Sequence, residues 1–245
     1  MNKEKFLTKI SKMSEEKLLN LARRTSDVET LNILAENENY KVRFFVAFNL
    51  NTLPQTLAIL AKDKNSIVRL NVAENKNTPI ELLAVLAQDE VWWVRCAVAE
   101  NENTSIDVLA MLAQDEKWLV REQVALNAST SAETLAVLAK DVDIDVRWAV
   151  AENKNIRVET LVMLAQDEKW RVRSAVAGNI NTPADVLAML AKDEDIDVRC
   201  AVANNRNAPA DVLAILAQDK NVGVRIRAKD ALQERTVKKE QNIER

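Results

Sequence analysis

Eight arginines recur at a fixed step of 26 residues: Arg43, Arg69, Arg95, Arg121, Arg147, Arg173, Arg199 and Arg225, each preceded by valine. Evenly spaced guanidinium groups could bind phosphates. In seven units, however, an aspartate stands six residues earlier: Asp63, Asp89, Asp115, Asp141, Asp167, Asp193 and Asp219, with Asn37 in that place before Arg43. With an acid beside almost every arginine, the row reads as structural ion pairing. A second series, Asn49, Asn75, Asn101, Asn127, Asn153, Asn179 and Asn205, falls where a short helix should end. Asparagine tolerates the left-handed conformation and can hydrogen-bond exposed loop backbone. Seven equivalent copies point to structure rather than catalysis.

Other chemistry is sparsely provided for. The chain has no histidine, so histidine acid–base chemistry and histidine metal sites are excluded. Two glycines cannot build a phosphate-cradling loop. Cys96 and Cys200 occupy the same position of units four apart and read as small core residues. No catalytic residue, metal site or cofactor is expected. Residues 44–224 carry 18 basic against 26 acidic side chains, which argues against a nucleic-acid groove along that length. No apolar run approaches a membrane span, and MNKEKFLTKISKM lacks the apolar core of a signal peptide, so a cytoplasmic protein is expected.

The residues that carry these series belong to one repeated unit, roughly V-R-x-x-V-A-x-N-x-N-T-P-x-[DE]-x-L-A-x-L-A-x-D-x-x-x-x. No insertion breaks its register between Val42 and Arg225. A fixed period of this size is the signature of stacked repeats. Each unit encodes two helices. Thr78-Pro79-Ile80-Glu81 reads as a capping box with proline at the first helical position, and Thr104/Asp107, Thr130/Glu133 and Thr182/Asp185 repeat it. The helix it opens should run about ten residues and bury Leu83, Leu86 and Ala87. The helix carrying Val94, Val98 and Ala99 should be shorter and partly 3₁₀. Neither would stand alone in water, so stacking must supply the stability.

The pattern resembles the leucine-rich repeat variant family, and its D-x-x-x-x-V-R core is similar to HEAT repeats. The resemblance covers residues 25 to 230 and implies an all-α, right-handed α-solenoid of 26-residue two-helix repeats. The expected organisation is an N-terminal helical cap over 1–24, a repeat array over 25–224, and a C-terminal cap and tail over 225–245. The HEAT resemblance implies an Asp–Arg ladder tying neighbouring loops, with Arg121 facing Asp115. The founding type of the variant family carries a cysteine cluster for an iron–sulfur centre, and two cysteines cannot supply it. HEAT-like DNA glycosylases hold bases with tryptophan and an acid, and Trp118 with Glu122, four residues apart, is the nearest counterpart here.

The variable positions remain. The first position of the second helix reads Ser66, Trp92, Trp118, Ile144, Trp170, Ile196, Val222, and four residues later come Leu70, Cys96, Glu122, Trp148, Ser174, Cys200, Ile226. A large residue is often answered by a small one, which suggests packing between neighbours. Trp93, Arg171 and the Trp118/Glu122 pair fit that scheme less well. By resemblance to HEAT repeats this helix lines the concave side. The favoured function is therefore a non-enzymatic scaffold binding a protein or peptide on that side, through Trp92, Trp93, Trp118, Glu122, Trp148, Trp170 and Arg171. The alternatives are a HEAT-like nucleic-acid-binding protein or DNA glycosylase, and a designed or architectural repeat protein without a partner.

Overall fold

The computed structural model describes residue 8 and residues 10–243, with side chains through residue 236. Every regular element among them is an α-helix. The chain forms two compact units, one up to Val120 and one from Arg121. In the first, α1 (Glu15–Arg24) is followed by α2 (Val28–Leu34), α3 (Tyr40–Phe48), α4 (Pro54–Leu60), α5 (Ser66–Glu74), α6 (Ile80–Leu86), α7 (Trp92–Glu100), α8 (Ile106–Leu112) and the start of α9 (Trp118–Leu126). The second holds the rest of α9 and then α10 (Ala132–Leu138), α11 (Ile144–Glu152), α12 (Val158–Leu164), α13 (Trp170–Gly178), α14 (Ala184–Leu190), α15 (Ile196–Asn204), α16 (Ala210–Leu216) and α17 (Val222–Ile243). Even-numbered helices are the first of each repeat and odd-numbered ones, from α3, the second. This is an all-α repeat solenoid. Among the described residues no helix is long and apolar enough to cross a membrane.

The relative lengths of the two helices are the reverse of the sequence expectation. The first helix has 7 residues, as in α6. The second has 9, as in α7, and is α-helical throughout. The first stops early because the chain tightens at once: Gln88 N–H donates to Val85 O at 3.2 Å and Asp89 N–H to Leu86 O at 3.0 Å. Asp89 then opens the next helix by accepting Val91 N–H on its carboxylate at 2.9 Å. Leu83, Val94 and Val98 are wholly buried, and each such side chain contributes roughly 1.5–3 kcal/mol that helices this short cannot do without.

The threonines do not cap. Thr78 Oγ1 donates to Val72 O at 2.5 Å and Thr104 Oγ1 to Val98 O at 2.6 Å, so each satisfies a carbonyl near the end of the preceding helix. In the second unit Thr130 and Thr182 do the same for Val124 and Val176. The cap position belongs to the next residue, one later than the capping-box reading. Ser105 and Ser131 fill it with their hydroxyls, whereas Pro79 and Pro183 fill it without a side-chain bond.

The asparagines are structural, though by another route than the left-handed conformation. Asn101 has φ −66° and ψ 125°, and no described residue has positive φ. Its amide instead reaches back one repeat, donating to Ala73 O at 2.7 Å and Asn75 O at 3.3 Å. Its side-chain oxygen accepts Asn103 N–H at 2.9 Å.

The Asp–Arg ladder also crosses between repeats. Arg95 forks onto Asp115, with Nε–Oδ2 2.6 Å and Nη2–Oδ1 2.9 Å. The aspartate six residues earlier, Asp89, offers its main-chain carbonyl at 2.8 Å, not its carboxylate. Arg121 accordingly forks onto the carboxylate of Asp141, and the carboxylate of Asp115 is held by Arg95. Neutralised in this way, the arginines leave the variable positions of the second helices to face outward.

Candidate functional site

In each second helix from α3 to α15 the third, seventh and eighth positions are buried, as Val94, Val98 and Ala99 show in α7. The first, second, fifth and ninth therefore form the open face. In the first unit it carries Trp92, half-buried, and Trp93, 41% exposed, their rings edge-to-face at 5.6 Å. Trp118 is 38% exposed. Phe44 and Phe45 stack edge-to-face at 4.9 Å, Arg23 lies 6.0 Å from the Phe45 ring centroid, and Phe48 is exposed. A cleft of about 540 Å³ beside Phe48 adjoins one of about 400 Å³, and Glu74 and Lys76 line both. Burial, and then the neighbouring Glu100, push the Glu74 carboxyl above the usual glutamate value.

The second unit holds the tighter constellation. Arg171 on α13 reaches across to α11, where its guanidinium carbon lies 4.8 Å from the centroid of the Trp148 ring. The same guanidinium forms an ion pair with Asp145, one turn before Trp148 on α11. Glu122 on α9 is half-buried and has no hydrogen-bond partner among the described residues. Burial first, then Asp145 and Asp143, push its carboxyl upward, while Arg171 acts the other way. Trp170, on the first turn of α13, is 45% exposed.

Of the residues expected at a binding face, the structure thus brings Trp92 to Trp93, and Trp148 to Arg171 with Glu122 in electrostatic reach. Asp145 was missed. A signal for it exists in the sequence: Asp145 and Arg171 hold the same helical position 26 residues apart, and equivalent positions of consecutive repeats are neighbours. Cys96 and Cys200 are half-buried rather than core, and neither forms a disulfide. Among the described residues no group of three or more acids or cysteines is arranged to hold a metal ion.

Glu122 should cost stability. Its folded-state pKa is raised, so the folded chain binds the proton more tightly than the unfolded one. Stability then falls as pH rises from the ordinary glutamate pKa through the folded value, and the charged form is disfavoured at neutrality. Glu122→Gln is expected to raise the melting temperature at pH 7 by a few degrees and to leave it unchanged at pH 3.5. Calorimetry at both pH values checks this, and a lowered melting point at pH 7 contradicts it.

The pattern of the family described as leucine rich repeat variant matches residues 92–117 and 196–221. No curated protein sequence matches the chain. Among solved structures, a leucine-rich repeat variant with a novel repetitive structural motif is 26% identical over 89% of this chain and 87% of that one, with a TM-score of 0.68. The Escherichia coli protein YibA is 21% identical over 91% of this chain and 98% of its own, with a TM-score of 0.50, a likeness of fold. With the period, the two matched units and the shared architecture in agreement, the chain is similar to the leucine-rich repeat variant proteins in two of its units and in its fold.

Proposed function

We propose that the protein is a non-enzymatic cytoplasmic scaffold. It binds a protein or peptide partner on the face of its second helices, the concave side expected of such a solenoid. The observation that carries this reading is the exposure of Trp93, Trp118 and Trp170 at 41%, 38% and 45%. They stand at positions that vary between repeats whose framework residues hardly change. Large half-open rings on a charged face suit a binding hot spot. The charge of the second unit favours a protein over a nucleic acid. Asp143, Asp145, Asp195 and Asp197 begin its second helices, against Lys169 and Arg171.

Trp170→Ala separates packing from contact. With the ring half-covered, its loss should cost about 1–3 kcal/mol of stability, less than a core aromatic. Peptides selected from a displayed random library against the intact protein should lose about 2 kcal/mol or more of affinity on the variant. Denaturant melts and titration of the selected peptides give both numbers. A library that yields no binder, or binders indifferent to all five tryptophan substitutions, would sink the proposal.

A further inference from the structure

The indole of Trp148 and the carboxylate of Asp145 already hold one guanidinium, that of Arg171. The grip is weak. Arg171 and Asp145 side chains are 45% and 29% exposed, and an ion pair this open to solvent contributes little. Two carboxylates, Asp143 and Asp145, lie in electrostatic reach of Glu122, and Arg171 is the cation that acts on it. Glu122 itself has no hydrogen-bond partner among the described residues, and its charge is disfavoured by burial and by those neighbours. The seat therefore has more negative charge than its own arginine answers.

Arg171 also has somewhere else to go. Asp197 holds the second position of α15, as Asp145 does of α11, so the two flank Arg171 one repeat to either side. Asp197 is exposed and forms no ion pair among the described residues. Moving from one open carboxylate to another costs the side chain little.

We propose that this seat takes the arginine side chain of a peptide partner, with Arg171 as a built-in competitor that swings away. The incoming guanidinium stacks on Trp148 and is forked between Glu122 and Asp145. A planar fork fits two carboxylates and a ring face together, whereas a lysine ammonium satisfies one of them at a time. The inference rests on the binding face argued above and names the chemistry of what it binds.

The test follows the indole N–H resonance of Trp148 in the intact protein during titration with acetyl-Gly-Arg-Gly-amide. Citrulline, lysine and glutamate versions of the peptide serve as comparisons. The arginine peptide should move the resonance, and the citrulline peptide should not. Arg171→Ala should bind it up to about tenfold tighter, because the competitor is gone. Glu122→Gln should bind it about fivefold or more weakly, through loss of a charged acceptor. Weaker binding by Arg171→Ala, or a shift caused by the glutamate peptide in place of the arginine one, would make Arg171 a contact for an anionic partner and overturn the proposal. If library-selected peptides bind the tryptophans while no arginine peptide moves Trp148, the arginine seat fails and the binding face stands. If neither binds, both fail.

Discussion

Replacing Arg121 with alanine is expected to lower the stability of the protein by about 3 kcal/mol. The guanidinium makes two bonds to Asp141, at 2.5 and 2.8 Å, and the two side chains are 14% and 8% exposed. Truncation leaves a buried carboxylate that still accepts the Asp143 N–H at 2.9 Å but has lost both guanidinium bonds. An aspartate in that position costs far more than a surface ion pair returns. The pH dependence has a definite sign. Burial alone would raise the Asp141 pKa, but Arg121 and the Asp143 N–H outweigh it and hold it below the ordinary aspartate value. A depressed folded pKa stabilises above the unfolded value, near 3.9, and that stability is lost as pH falls through the folded one. The gap between wild type and Arg121→Ala should therefore be full at pH 7 and shrink below about pH 4. Arg121→Lys should recover less than half, since an ammonium cannot fork. Arg225, which bonds the carbonyls of Asp219 and Lys220 and meets no later rung of the ladder among the described residues, should cost about 1 kcal/mol on truncation. Urea melts at several pH values measure all of this, and an unchanged midpoint for Arg121→Ala would refute the structural role.

The repeat, its helices and the likeness to leucine-rich repeat variants were legible in the sequence because the period is unbroken and the framework residue types recur with it. What the sequence hid lies one step beyond the single unit. Asp115 is six residues from Arg121 and looked like its partner, yet Arg95 of the preceding repeat takes that carboxylate. Spacing along the chain cannot show this, because the shorter path is through space between stacked turns. A shift of one residue in where the first helix begins turned Thr78 from a cap into a tie to Val72. Exposure at the tryptophans was illegible for a related reason. Trp92, Trp118 and Trp170 share one helical position, but the first is half-buried and the other two exposed. What covers each ring is supplied by adjacent repeats, whose residues at that face differ. Asp145 was overlooked because an aspartate on a first helical turn already has a local explanation in the helix dipole.

The second large effect is expected at Asn153, where alanine should cost about 2–3 kcal/mol. The side chain is 6% exposed. Its amide donates to Ala125 O at 2.7 Å and Asn127 O at 3.1 Å, and its oxygen accepts Asn155 N–H at 2.8 Å. No rearrangement of a methyl group can satisfy three main-chain groups buried between two repeats. Asn155 offers the control. It also reaches a carbonyl of the previous repeat, Ala128 O at 2.6 Å, but from an exposed position where water can replace it. Asn155→Ala should therefore cost under about 1 kcal/mol. Asn153→Asp sharpens the argument, since it keeps the size and the acceptor but loses the donor. An ionised carboxylate would face two carbonyl oxygens, so its folded pKa must rise above the ordinary aspartate value. A group raised in this way stabilises below its unfolded pKa and loses that contribution as pH rises through the folded one. The aspartate variant should then be markedly unstable at pH 7 and recover toward wild type near pH 4, its deficit shrinking on acidification as that of the ladder variant Arg121→Ala does. Parallel melts of the four variants across that range decide it. Equal costs at Asn153 and Asn155, or an aspartate variant indifferent to pH, would show that the buried amide does not hold neighbouring repeats together.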